Sequence, residues 1–294
     1  MLRPSVLGVK AEVSMIQEYK KVGLQAKPEK TKICLGDFEI GGAEFIVMAG
    51  PCIVETREQL FETAIAVKMA GARILRGNAF RVGISPYDFQ DLREDELRLL
   101  ADVGRRTGLK VVTETISAEQ VELVAEYADI LQVGGRHMQD FALLKRLGRA
   151  GRPVLLERSW GSTLNEFLLA AEYIAAGGND QIILCERGIR TFETATNQTL
   201  DLVAVPILQG LSHLPVVVDP SNGTGHRHLI KPAAKAAVAI GADGLMMEVA
   251  SRPPKASEVS EPTIDPAQFQ ELMIELHGYV GLEARYIESA RALA

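Results

Sequence analysis

The sequence predicts a closed (β/α)8 barrel. Short apolar runs rich in β-branched residues alternate with longer amphipathic stretches, the pattern of parallel strands and their covering helices. Eight such pairs follow in order, which suits a closed barrel better than an open doubly wound sheet. The turn after the first strand reads Ala49-Gly50-Pro51-Cys52, not the G-x-G-x-x-G of a dinucleotide-binding sheet. At 294 residues the chain fits one domain of this kind.

Residues 1–30 predict a short helix, Glu12–Lys21, and a linker, too few for a separate regulatory domain. Within 31–43, Lys32–Leu35 and Phe38–Ile40 flank Gly36-Asp37, a hairpin turn signal. This hairpin is expected to cap the barrel's lower mouth. The barrel itself is placed at 44–294. Its strands are predicted at Phe45–Ala49, Arg73–Leu75, Lys110–Thr113, Ile130–Val133, Val154–Leu156, Ile182–Cys185, Val216–Val218 and Leu245–Glu248. Helical patterns lie at Arg57–Ala70, Glu94–Gly108, Ala118–Ala128, Asp140–Gly148, Leu164–Ala176, Lys231–Ile240 and Pro266–Leu282.

Composition narrows the function classes. Hydrophobic residues at 47% fill a large core, and a net charge of −6 argues against a sequence-independent grip on nucleic acid. No apolar run approaches the roughly 18 residues of a membrane span. Met1-Leu2-Arg3-Pro4 lacks a signal-peptide core, and three cysteines suit a reducing cytosol, so a cytoplasmic location is expected.

In a barrel of this type, chemistry gathers where strands end. Those positions read Gly50-Pro51-Cys52, Arg76-Gly77, Glu114, Gly134-Gly135-Arg136, Glu157-Arg158, Glu186-Arg187-Gly188, Asp219-Pro220-Ser221-Asn222 and Glu248. Several arginines converging on one mouth need anionic partners. The residues alone leave two readings open, a site for phosphate or carboxylate ligands and a structural ion network.

The runs Val47–Cys52, Leu75-Arg76-Gly77, Ser85–Gln90, Val112-Thr113-Glu114, Glu166–Ile174, Ile183–Glu193, Leu214–Ser221 and Met247-Glu248-Val249 resemble the short-form, type I DAHP synthases of the beta branch. The likeness runs from about Lys30 to Leu276. That family condenses phosphoenolpyruvate with erythrose 4-phosphate, so the resemblance implies a transferase or aldolase and commonly a homodimer or homotetramer. It also implies a divalent metal (Mn, Zn or Fe) held by Cys, His, Glu and Asp, which polarises the aldehyde. Cys52 and Glu248 fall on two of those ligands, and Arg76, Arg136 and Arg187 on the arginines that hold phosphoenolpyruvate. Ser221 lies in the same Asp-Pro-Ser run as a further contact.

The departures fall on chemical positions. The family's Lys-Pro-Arg-Thr run is Arg81-Val82-Gly83-Ile84, leaving Arg81 as a lid contact and Gly83 in place of the arginine that meets the sugar phosphate. The strand-five lysine is Glu157, a reversal of charge that requires the carboxyl to be protonated or paired, for example with Arg136 or Arg187. The metal histidine is Asn222, and the metal aspartate aligns with Val259, near Glu258 and Glu261. His226, His228 or His137 could supply a replacement imidazole, and Trp160 either lines the pocket or simply packs. Glu157, Arg81 and Asn222 are therefore the expected catalytic set, with Cys52, Glu248 and His226 as residual metal ligands. Three functions stay open. One is an enzyme moved away from DAHP synthesis, acting on an anionic small molecule in a specialised biosynthetic pathway. The others are a genuine DAHP synthase and a non-catalytic partner of a pathway enzyme.

Overall fold

The computed structural model describes residues 19–54, 56–79, 93–251, 262–283 and 285–287. A two-stranded antiparallel hairpin, β1 (Ile33–Cys34) and β2 (Glu39–Ile40), precedes the barrel. The barrel proper then runs β3 (Ile46–Gly50), α1 (Arg57–Met69), β4 (Ile74–Arg76), α2 (Glu94–Thr107), β5 (Lys110–Glu114), α3 (Val121–Tyr127) and β6 (Ile130–Val133). It continues with α4 (Phe141–Leu147), β7 (Val154–Glu157), α5 (Leu164–Ala176), β8 (Ile182–Glu186), α6 (Ala204–Leu211), β9 (Val216–Val218) and α7 (Pro220–Thr224). Last come α8 (Arg227–Ala239), β10 (Gly244–Glu248) and α9 (Pro266–Leu282). Strands β3 to β10 pair in chain order, all parallel, and β10 returns to β3 to close the barrel. The (β/α)8 fold is thus as the sequence predicts.

Alternation along each strand divides the core into two layers. Inside stand Ile46 and Met48 of β3, Ile74, Val112, Ile130, Leu155, Ile183, Val217 and Met246. Ile33, Leu35, Phe38 and Ile40 of the hairpin join this cluster and plug the barrel from below. Between strands and helices lie Val47, Leu75, Val111, Leu131 and Leu156, packed against Leu60, Leu97, Leu100 and Phe167. With the interior filled by apolar side chains, polar groups concentrate at the upper strand ends.

Helix signals are readable in the chain. α2 has acidic residues in its first turn, Arg105 and Arg106 in its last, and stops at Gly108 with φ 69°. Capping boxes start α5 (Thr163, Glu166) and α9 (Asp265, Gln268). α6 escapes the periodicity reading because Pro206 and Gly210 interrupt it. Pro206 is tolerated in the first turn, where backbone N–H groups have no helical partner. α8 begins one turn before the predicted Lys231 and carries Pro232 within it. Of the predicted helix Glu12–Lys21, the described residues Tyr19–Lys21 are not helical, Lys20 and Lys21 lying in a turn, and the rest lies outside the described residues.

The segments that flank the barrel are tied at one place under it. The buried Asp243 accepts the Val216 N–H at 2.9 Å, and its Oδ1 meets Lys30 Nζ at 2.5 Å and Arg285 Nη2 at 3.4 Å. Beside it the Phe45 N–H donates to the Tyr286 carbonyl at 2.7 Å. His213 is buried. It bonds Thr31 Oγ1 and the Lys21 carbonyl, both at 2.8 Å, and so secures the segment before the hairpin.

Candidate active site

Arg76 ends β4 and Glu248 ends β10, on either side of β3. The register sets Glu248 opposite Gly50, and Ala49 opposite Leu75, so Gly50 sits between the two charged residues. A Cβ at Gly50 would stand 2.1 Å from the Arg76 carbonyl oxygen, so glycine lets β3 and β4 approach here. Arg76 Nη1 meets Glu248 Oε1 at 3.1 Å, each residue being 2% exposed. The Glu248 carboxylate has further partners: Asn222 Nδ2 donates to Oε1 at 3.3 Å, and Thr263 Oγ1 to Oε2 at 3.3 Å. Ser221 Oγ accepts the Glu248 N–H at 3.0 Å. Asn222 is held in turn by Asp219, through its amide at 2.8 Å and its backbone N–H at 2.8 Å.

Cys52 follows Pro51 at the same mouth. Burial pushes its thiol up most, the Glu248 charge adds to this, and Arg76 opposes it. Among the described residues no group of three or more His, Cys, Asp and Glu side chains is placed to hold a metal ion. The donor set here is Cys52 and Glu248, with an amide, Asn222, whose N–H points at Glu248. Both Glu248 oxygens already accept hydrogen bonds. Among the described residues, this set does not fit a divalent cation.

The second cluster surrounds Glu157, the last residue of β7, 4% exposed. Gln132 Nε2 donates to its Oε1 at 2.7 Å and the Gly135 N–H to its Oε2 at 3.0 Å. Arg187 Nε ion-pairs with Oε2 at 3.1 Å. Of the two arginines expected to neutralise Glu157, Arg187 is therefore the partner. Its guanidinium lies 5.4 Å from the centre of the Trp160 ring, and that of Arg136 lies 5.8 Å from the same ring. Arg136 is exposed, and the Trp160 Nε1 atom is buried without a hydrogen-bond partner. Arg158 is tied to Glu186 and Asp201, both at 2.9 Å. Glu114 faces His137 Nδ1 at 3.9 Å and accepts from Asn78 at 3.4 Å.

Burial holds the carboxyls of Glu157, Glu186 and Asp219 above their ordinary range, against the pull of Arg187 on the first, Arg158 on the second and Arg76 with Arg187 on the third. A carboxyl whose pKa is higher folded than unfolded binds its proton more tightly in the native state. Its contribution is therefore fullest below the ordinary carboxylate range, and is lost as pH rises from about 4 through the raised values. In urea denaturation at a series of pH values upward from about 4, the Glu157→Gln variant is expected to lose less stability with rising pH than the wild type, and equal slopes in the two would refute the assignment.

The structure thus brings Cys52, Arg76, Ser221, Asn222 and Glu248 into one cluster and Glu157, Arg187, Trp160 and Arg136 into another. His226 stands at the N-terminus of α8, its ring 5.8 Å from that of His228. Arg81, Gly83, Val259, Glu258 and Glu261 lie outside the described residues. Gln132 and Asp201 were missed in the sequence. For Gln132 a signal existed, one amide inside the apolar run Ile130–Val133.

A family model described as the DAHP synthetase I family matches residues 21–280. The chain is 47% identical over 268 residues to a phospho-2-dehydro-3-deoxyheptonate aldolase of Thermotoga maritima, covering 91% of this chain and 79% of that one. It is 30% identical to a 2-dehydro-3-deoxyphosphooctonate aldolase of Syntrophobacter fumaroxidans, over 76% of this chain and 84% of that one. Among solved structures, a truncated 3-deoxy-D-arabino-heptulosonate 7-phosphate synthase from Thermotoga maritima matches with a TM-score of 0.85 and 44% identity, covering 92% and 99% of the two chains.

Proposed function

The chain belongs to the DAHP synthetase I family, and on that premise we propose an aldolase-type, C–C bond-forming enzyme that acts on a small anionic molecule in a specialised biosynthetic pathway and does not efficiently make DAHP. One observation carries this reading. The three buried arginines of the mouth, Arg76, Arg187 and Arg158, are each already paired with carboxylates of the chain: Glu248, Glu157, and Glu186 with Asp201. The described mouth holds the guanidiniums of Arg76, Arg136, Arg158 and Arg187 against the carboxylates of Glu114, Glu157, Glu186, Asp201, Asp219 and Glu248. Such a balance opposes two phosphorylated substrates bound side by side, because each added anion enters a region already rich in negative charge. Glu157, Asn222 and Arg81 remain the residues proposed for the altered chemistry.

A genuine DAHP synthase is the second reading, favoured by the 47% identity to the Thermotoga maritima aldolase. The two separate in one assay. The purified chain is incubated with phosphoenolpyruvate, erythrose 4-phosphate and Mn²⁺ and phosphate release is followed, with the Thermotoga enzyme measured beside it. The proposal expects turnover at least a hundredfold lower, and turnover within tenfold of that enzyme would establish the second reading.

A further inference from the structure

We propose that Glu114 and His137 form a carboxylate–imidazole pair, in which Glu114 holds the proton on Nδ1 and leaves Nε2 of His137 as a proton acceptor for the bound small molecule. This rests on the proposed function and adds a proton-transfer group to it.

The pair is built from two adjacent strand ends. Glu114 closes β5, and His137 ends the short helical turn Gly135–His137 that follows β6. The strands are hydrogen-bonded neighbours, with Glu114 opposite Gln132. Backbone bonds fix the turn: the His137 N–H donates to the Gly134 carbonyl at 2.8 Å, and the Asp140 N–H to the His137 carbonyl at 2.9 Å. Glycine at 134 lets the carboxylate come close, since a Cβ there would stand 2.1 Å from Glu114 Oε1. Asn78, just after β4, donates its amide to Oε2 at 3.4 Å, and its own backbone is tied to Cys52 and Val54.

Oε1 is thereby left to face His137 Nδ1, at 3.9 Å. Contacts of this kind are often long until a ligand seats. Nδ1 is buried and has no hydrogen-bond partner. A carboxylate only accepts, so a proton on Nδ1 satisfies both groups and a lone pair there satisfies neither. A proton on one nitrogen of the neutral ring leaves the lone pair on the other. The His137 side chain is 24% exposed, none of it at Nδ1. A proton taken from the ligand onto Nε2 leaves its bonding electron pair on the ligand and an imidazolium facing the Glu114 carboxylate; the same proton then returns to the product. The Glu114 charge acts on Cys52, Glu157 and Arg187 alike, which sets the pair beside both clusters of the mouth.

The tautomer is directly measurable. The full chain, labelled with nitrogen-15 in its five histidines, is studied by two-bond proton–nitrogen correlation spectra at pH 9, with His137→Gln identifying one set of signals. His213, whose Nε2 meets the Lys21 carbonyl at 2.8 Å, is the reference for the Nε2–H form. His137 is expected in the Nδ1–H form, and Glu114→Ala is expected to return it to Nε2–H, the form an isolated imidazole favours. Carbethoxylation of His137 by diethyl pyrocarbonate, followed by mass spectrometry, is expected to slow at least threefold in Glu114→Ala, because the lone pair then lies on the buried nitrogen. An Nε2–H ring at His137 in the wild type overturns the proposal, as does a tautomer or a rate unchanged in Glu114→Ala. The wild-type spectrum decides the matter even if that variant does not fold. Efficient DAHP formation would defeat the functional reading and leave the tautomer assignment standing, whereas the wrong tautomer defeats this proposal alone.

Discussion

Glu248→Ala is expected to lose about 3–5 kcal/mol of stability, the usual cost of stranding one member of a buried ion pair. Arg76 stays charged at any working pH and is almost wholly buried. Glu248 is its direct ion-pair partner and the leading charge acting on it, ahead of Cys52 and Asp219. Two further donors, from Asn222 and Thr263, lose their acceptor at the same time. The substitution also has a chemical signature. Burial holds the Cys52 thiol up, Glu248 raises it further and Arg76 lowers it, so removing the carboxylate takes away one of the influences that oppose the cation. Alkylation of Cys52 at pH 8, read site by site by mass spectrometry because Cys34 is exposed, is expected to accelerate. Unchanged stability together with an unchanged Cys52 rate would show that the pair does not organise this cluster.

A second large effect is expected at Gly50, where a single methyl should cost about 3 kcal/mol or more. The added Cβ would lie 2.1 Å from the Arg76 carbonyl oxygen, a backbone atom that cannot swing aside. Relief requires β3 and β4 to separate at the point where Arg76 reaches across to Glu248. Gly161→Ala supplies the control, since nothing lies within 4 Å of its Cβ and the position is exposed. Urea denaturation should place that control within about 0.5 kcal/mol of the wild type. Equal loss at both positions would mean that crowding at Gly50 is not the cause.

The barrel was legible because its signals are local. β-Branched strands, capped helices and the Gly36-Asp37 turn each declare themselves within a few residues, and all eight barrel strands fall within a residue or two of their predicted spans. The exceptions have local causes as well: Pro206 masks α6, and Pro232 hides the first turn of α8. The site was legible by position, as polar residues following apolar runs, yet its pairings were not. Glu157 could be matched to Arg136 or Arg187, and only the closed sheet, with β7 hydrogen-bonded to β8, decides for Arg187. Gln132 and Asp201 enter the clusters through long-range neighbours, Glu157 and Arg158, which no spacing rule reveals. The substitution of histidine by Asn222 reads as a lost ligand in the sequence. In the fold it gains a definite place, bridging Asp219 and Glu248.

The knot of contacts at Asp243 also orders events in time. β3, near the start of the chain, pairs on one side with β10, near its end, and Lys30 and Arg285 meet on the same carboxylate. A ribosome delivers β3 some two hundred residues before its last neighbour. Throughout that interval one edge of the growing sheet offers unpaired backbone groups to any other nascent chain. Closure waits for β10, and the tie at Arg285 for the helix after it. A stall in translation shortly before Gly244 therefore leaves a sheet with two open edges, the state from which this protein is most exposed to aggregation.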